Sequence, residues 1–485
     1  MLKGSSAMTI RPQDLGDPSF RNDLGLEYNY LAGAMANGIA SVELVAAMAR
    51  TGMLGFFGAA GLSLSRVEDA IQRLKSEVPN KPFGFNLIHS PNEPRHEMAI
   101  AELYLREEIR LVEASAYLDL TLPLILYRLH GIYRDAKGNV VTPNRVIGKV
   151  SRIEVATKFF SPAPERFVNE LVQLGKLTPE QAKLASLVPV AQDVTAEADS
   201  GGHTDNRPAI TLVPTIIALR DRLQAQYNYS NPLRVGAAGG ISTPASVAAA
   251  FIMGAAYVVS GSINQSCVES GSCPTVRKML AESGQADVAM APAADMFEMG
   301  VKVQVLKRGT MFPMRAQKLY ETYRDYASID LIPALEKAQL EKTIFRSSLE
   351  EIWEQTKEFF IKRDPEQVTR AEKDPKHKMA LVFRWYLGQS SRWANSGEST
   401  RVVDYQIWCG PAMGAFNEWV RGSFLEKPEN RKAGIVALNL LHGASQLMQF
   451  RISSLLGLAK QGSPSPVPVE YEKLKEQLGY AGVPA

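Results

Sequence analysis

An α/β fold, a TIM (β/α)8 barrel carrying an additional helical insertion domain, is what this sequence predicts, and three observations predict it. Between about residues 28 and 262, short apolar runs bounded by glycine alternate with longer amphipathic stretches, the pattern of repeated βα units around a parallel sheet. Eight such runs can be counted, the number that closes a barrel. From about residue 310 the texture changes to Glu, Lys, Arg and Gln at helical spacing, without strand-like runs of β-branched residues.

Strands are expected at Tyr28 to Met35, Met53 to Ala60, Pro82 to His89, Tyr117 to Leu120, Val146 to Val150, Val188 to Glu197, Leu233 to Gly239 and Tyr257 to Gly261. Crossover helices lie between them. Ser41 to Thr51 follows a Gly-Ile-Ala-Ser turn, and Arg66 to Glu77 begins where Ser65 can cap the N-terminus. A doubly wound sheet would also use βα units, but its first turn normally carries GxGxxG, and no such fingerprint follows the first strand here. Lys318 to Lys378 reads as helical, Trp393 to Phe416 becomes aromatic and Gly-rich, and an apolar helix near Lys432 to Leu456 precedes a Pro-rich tail. The division expected is 1–315 for the barrel, 316–395 for the helical insertion domain, and 396–485 for a C-terminal helical segment packing on the barrel and the cofactor site.

At 485 residues, 45% hydrophobic and 22% charged, the chain has the composition of a globular protein with a large core. Single cores stop growing near roughly 250 to 300 residues, so more than one unit is expected. The net charge of +3, from 54 Lys and Arg against 51 Asp and Glu, gives no field that points to nucleic acid or a membrane surface. Three cysteines, Cys267, Cys273 and Cys409, are too few for a disulfide scaffold and fit a reducing, cytoplasmic compartment. The opening MLKGSSAMTIRPQD lacks the apolar run of a signal peptide, and no apolar stretch of about 18 residues offers a membrane span.

The most informative stretch is Ala196 to Pro208, AEADSGGHTDNRP, just beyond the sixth strand, at the face where barrel enzymes keep their active sites. Gly201 and Gly202 allow close backbone approach to a planar ligand, and His203 titrates near neutral pH. The seventh strand ends in VGAAGGI and the eighth in VVSGS. Gly239, Gly240, Gly261 and Ser262 in these consecutive turns place backbone N–H groups where a phosphate is bound in barrels. GAMA at Gly33 to Ala36 and Asn86 at the end of FGFN suit the floor and pyrimidine edge of a flavin, with Gln192 and Lys149 adding contacts from other strand ends. CVESGSC has no His cluster nearby, which argues against zinc. Cys409 reads as packing or a cofactor contact.

The segments AEADSGGHTDNRP, AAGGISTPASVAAAF and YQIWCGPAMGAFNEW closely resemble the PfaD family, the stand-alone enoyl reductases of polyunsaturated fatty-acid and polyketide synthases. That family is similar to nitronate monooxygenases (2-nitropropane dioxygenases), FMN-binding TIM barrels with a Gly-Gly-His after the sixth strand. The resemblance implies FMN held by Gly201, Gly202, Gly239, Gly240, Gly261 and Ser262, with Ala34, Met35, Asn86 and Gln192 lining the flavin. It implies that Trp408 and Gly410 belong to the site, with Cys409 where the superfamily has Ala, and that a helical insertion similar to one in acyltransferases interrupts the barrel unit. In place of Glu-Ala-Gly-Gly-His, this chain has Glu197-Ala198-Asp199-Ser200 before the glycines, a longer acidic turn that matches the PfaD branch and favours enoyl reduction.

The activity implied is reduction of α,β-unsaturated thioesters on an acyl carrier protein, in trans, with NADPH or NADH as hydride donor and His203 and Lys149 as catalytic candidates. The partners implied are the carrier protein and its fatty-acid or polyketide synthase; a homodimer is compatible with the sequence, and no nucleic acid is expected. Two alternatives stand beside it. A nitronate monooxygenase would use the same FMN and pass electrons to oxygen, and a non-catalytic docking protein of the synthase would use the helical block as an interface.

Overall fold

Eight parallel strands close into a barrel in the computed structural model of the protein, which describes residues 9–89, 94–458 and 464–478. They are β1 (Tyr30–Ala32), β2 (Leu54–Phe57), β3 (Gly84–Ile88), β4 (Leu111–Ser115), β5 (Arg145–Val150), β6 (Asp193–Glu197), β7 (Arg234–Ala238) and β8 (Val258–Ser260). Each strand pairs with its neighbours in the chain, and β8 returns to β1 through Tyr30↔Val258 and Ala32↔Ser260, which closes the ring. The fold is the predicted TIM barrel.

Alternation along the strands divides the barrel interior into layers. Leu31, Leu54, Phe56, Leu111, Ile147 and Val259 form an apolar middle, continuous with Phe20, Leu26 and Tyr257. Phe20 belongs to a short helix, Pro18–Leu24, capped by the Asp17 side chain and ended by Gly25 in the left-handed conformation that glycine tolerates best. Its ring stacks on Tyr257 at 4.1 Å and lies beneath the Arg234 guanidinium. Arg234 bonds Asp193 at 2.6 Å and Asp23 at 2.9 Å. Since Asp193 and Arg234 open β6 and β7, this arrangement fills the N-terminal mouth and directs a ligand to the opposite one.

Two strand expectations are corrected. The fourth strand is Leu111–Ser115, not Tyr117 to Leu120, which falls in the turn before a helix, Leu122–Leu129, capped by Thr121. A charged residue, Glu113, interrupts the apolar run LVEAS and hides the strand from a hydrophobicity reading. The sixth strand begins at Asp193 rather than Val188, because Pro189 lacks the N–H that a central strand donates. The second crossover helix starts at Leu64, and its cap is Ser63, whose Oγ accepts from the Arg66 N–H.

The chain divides into two compact units. The first holds residues 1–200, 205–271 and 412–485, so the barrel strands group with 412–485 and not with 396–411. Within it, the long helix Ala433–Leu455 runs against the helix after β7, Pro244–Ile252, where a Cβ on Gly443 would meet the Pro244 ring at 2.7 Å. The second unit holds residues 201–204 and 272–411, a wider span than 316–395 because two further strands join its helices. Val288–Pro292, Lys302–Leu306 and Gly202–His203 make an antiparallel sheet, with Val303 opposite His203 and Gln304 opposite Gly202. Its core packs Phe297, Phe312, Phe345, Trp353, Phe383 and Tyr386 among the helices. Buried Asp404 accepts from Tyr386, Arg315, Arg346 and Arg401.

Candidate active site

A charged layer sits above the apolar middle of the barrel. Glu113, Lys149 and Glu197 stand on three adjacent strands, β4, β5 and β6, with Glu113 and Lys149 two residues beyond the interior side chains Leu111 and Ile147. Lys149 Nζ lies 3.6 Å from Glu113 Oε2 and 3.4 Å from Glu197 Oε1. Burial works to lower the pKa of the lysine, but the two carboxylates outweigh it and hold the ammonium above its ordinary range. Glu113 is fully buried, and burial pushes its carboxyl above the usual range while Lys149 pulls the other way. An apolar side chain in such a position contributes about 1.5–3 kcal/mol on burial, whereas a lone buried charge costs several kcal/mol. The layer therefore holds only because the charges are paired.

Above this layer, the loops after β1 and β2 are stitched to each other and to Asn86 of β3. Asn86 Oδ1 accepts from the N–H groups of Ala59 and Ala60, at 2.7 and 3.2 Å. Ala60 O in turn accepts from Asn37 N–H, and Gly58 O from Gly38 N–H. A Cβ on Gly58 would overlap the Met35 carbonyl, so only glycine lets the loop bearing Ala34 and Met35 lie this close. Asn86 thus holds the floor in place with its oxygen; among the described residues, its Nδ2 has no hydrogen-bond partner.

The turns after β7 and β8 leave space. Gly239 has φ +82°, and a Cβ there would strike the Ala198 backbone at 2.6 Å, so the residue must be glycine. At Gly240 and Gly261 a Cβ would meet nothing within 4 Å. These open positions lie at the ends of paired strands, since Ala238 is opposite Val259. Both turns therefore leave open space beside their backbone. Ser262 begins a single helical turn, Ser262–Gln265, and the helix after β7 is capped by Thr243.

The Gly-Gly-His segment belongs to the second unit. Gly201 packs on the backbone of Cys409, where a Cβ would lie 2.9 Å from its nitrogen. Gly202, at φ +81°, faces the Trp408 ring, and Trp408 bridges to Val305. His203 Nε2 lies 3.0 Å from Asp295 Oδ2. The bond to His203 holds the Asp295 carboxyl below the usual range. The chain returns to the barrel unit at Asp205, which accepts from Arg152 at 2.9 Å and Ser151 at 2.5 Å.

Of the predicted residues, the barrel mouth brings together Ala34, Met35, Asn86, Lys149, Gly239, Gly240, Gly261 and Ser262. The second unit brings together Gly201, Gly202, His203, Trp408 and Gly410. Gln192 is corrected: it precedes β6, so it sits at the N-terminal mouth, where its amide donates to Pro232 O at 3.2 Å. Cys409 is buried, which pushes its thiol up to about 12, and it acts as packing. Sequence reasoning missed Glu113 and Asp295. An inward charge two residues beyond Leu111 was the available signal for the first; Asp295, 92 residues from its partner, offered none.

Comparison with known proteins adds a second line. The nitronate monooxygenase family pattern matches residues 21–158, and that of the [acyl-carrier-protein] S-malonyltransferase inserted helical domain matches residues 326–405. A polyunsaturated fatty acid synthase protein of Thraustochytrium is 49% identical over 90% of this chain, and polyketide biosynthesis protein PksE of Bacillus subtilis is 45% identical over 92%. The chain spans 30% and 58% of the lengths of those two proteins. A crystal structure of the enoyl reductase domain of MlnA, from the macrolactin biosynthesis cluster of Bacillus amyloliquefaciens, is 41% identical with a TM-score of 0.87, covering 91% of this chain and 99% of that one.

Proposed function

This chain belongs to the PfaD family, the nitronate-monooxygenase-like barrels that include the enoyl reductase domain of MlnA, and we propose that it is an FMN- and NAD(P)H-dependent enoyl reductase. Its substrate is an α,β-unsaturated thioester carried by an acyl carrier protein, delivered in trans by a fatty-acid or polyketide synthase. The single observation that carries the reading is the similarity to the MlnA domain across almost the whole of both chains, at 41% identity.

The residues fit FMN. The open cradle at Gly240 and Gly261 takes its phosphate, the loop of Ala34 and Met35 gives a small-residue floor, and Asn86 Nδ2 offers a donor to the ring edge. The chemistry supplied by a bound FMN is hydride transfer, from NAD(P)H and on to the β-carbon of the thioester. The protein's share is alignment and charge. Lys149 presents a fixed ammonium at the mouth, held there by two carboxylates. His203, oriented by Asp295, polarises the thioester carbonyl or delivers the proton to the α-carbon.

The test is the choice of acceptor. NADPH oxidation that depends on a crotonyl thioester and ignores nitroalkanes is expected. Oxygen uptake driven by a nitronate without NADPH would instead place the chain in the oxygen-using branch to which the match at residues 21–158 also points.

A further inference from the structure

Glu113 is a buried charge that the proposed reaction does not use. It stands at 0% exposure on β4, its Oε2 accepts the Ala34 N–H at 3.0 Å, and the same oxygen faces Lys149. Its Oε1 is buried without a hydrogen-bond partner among the described residues. A Cβ on Gly33 would come within 3.5 Å of that oxygen, so the missing side chain at Gly33 leaves room beside it. A carboxylate at this position opposes the apolar packing of the barrel, because Leu111 on the same interior face belongs to the core. Its partners, in contrast, are both at the mouth: the Ala34 amide in the loop after β1 and the ammonium at the end of β5.

We propose that Glu113 is a positioning residue, which ties the Ala34 amide and the Lys149 ammonium to one carboxylate and so sets the charge that the mouth presents to a bound flavin. The inference rests on the reading of the mouth as an FMN site. With Glu113, Lys149 and Glu197 all ionised, the layer carries one net negative charge. Glu113→Gln keeps an oxygen to accept the Ala34 N–H and removes that negative charge. Lys149 then faces Glu197 alone, and the mouth favours the more electron-rich, reduced form of the cofactor. By the same count Lys149→Met leaves two negative charges in the layer and the double variant one, so loss of the Glu113 charge should act in the same direction with Lys149 present or absent.

The experiment is an anaerobic redox titration of the flavin-loaded protein at pH 8, comparing wild type, Glu113→Gln, Lys149→Met and the double variant. Glu113→Gln is expected to raise the ratio of reduced to oxidised flavin about tenfold at fixed poise, a shift of about 30 mV for a two-electron couple. Lys149→Met should lower it. The double variant, which neutralises both partners and keeps the test open if Glu113→Gln does not fold, should rise above Lys149→Met and return toward wild type. Equal potentials in wild type and Glu113→Gln, or in Lys149→Met and the double variant, would overturn the inference. Wild-type protein that binds no flavin would overturn the reading of the mouth itself, a result distinct from an unshifted potential.

Discussion

His203 Nε2 and Asp295 Oδ2 lie 3.0 Å apart, although 92 residues separate them, because the strand Gly202–His203 pairs with Lys302–Leu306 just beyond the connection that holds Asp295. A carboxylate at that distance selects the ring tautomer and restrains the imidazole. His203→Ala should therefore lower turnover by on the order of 100- to 10,000-fold while flavin content stays at the wild-type level. Asp295→Asn keeps the shape and loses the charge, and a smaller fall of about tenfold or more is expected, with unchanged melting temperature. Steady-state rates beside flavin absorbance measure both. Loss of flavin from His203→Ala would make the histidine a cofactor ligand instead.

Two glycines separate backbone need from ligand space. Gly239→Ala forces a Cβ into the Ala198 backbone at φ +82°, so destabilisation of about 1–3 kcal/mol is expected whether or not a cofactor is present. Gly261→Ala meets nothing within 4 Å. Its apoprotein should melt with wild type, while the dissociation constant for FMN rises. Thermal melts with and without FMN distinguish the two, and unchanged FMN affinity in Gly261→Ala would remove that turn from the phosphate site.

Asp205 gives a pH signature. The bond from Arg152 lowers its carboxyl to about 2, with burial opposing and Ser151 assisting. A carboxyl depressed in the folded state contributes stability that is complete above its ordinary value near 4 and is lost as the pH falls toward about 2. Asp205→Asn should cost on the order of 1–2 kcal/mol at pH 7, after allowance for partial exposure. The gap to wild type should close between about pH 4 and pH 2. Denaturant melts at a series of pH values follow it.

Cys409, beside Trp408, should be chemically silent. With its thiol raised to about 12 by burial, Cys409 holds on the order of one thiolate in ten thousand at pH 8. Iodoacetamide at that pH should leave Cys409 unlabelled in the folded protein and label it in denaturant, as peptide mass spectrometry will show. Rapid labelling in the folded state would contradict a packing role.

The barrel was legible because most of its strands lie in short, largely apolar runs flanked by glycine or small residues, which suits burial on both faces. The fourth escaped because Glu113 broke the run, so the residue that hid the strand is also the one that orders the mouth. Gln192 was misplaced by extending β6 backward through Pro189, which moved a residue from one end of the barrel to the other. Gly201, Gly202 and His203 stood out by composition, but their membership of the second unit depends on pairing with Lys302–Leu306, a register that no local pattern encodes. Asp295 was invisible for the same reason.

The central claim is tested most directly by loading the protein with FMN, mixing it anaerobically with NADPH while following flavin absorbance, and then adding a crotonyl thioester. Bleaching by NADPH followed by return of the oxidised spectrum on thioester addition is the predicted result, since it shows both half-reactions on one protein. A bleached flavin that the thioester leaves reduced, and that air reoxidises, would contradict enoyl reduction.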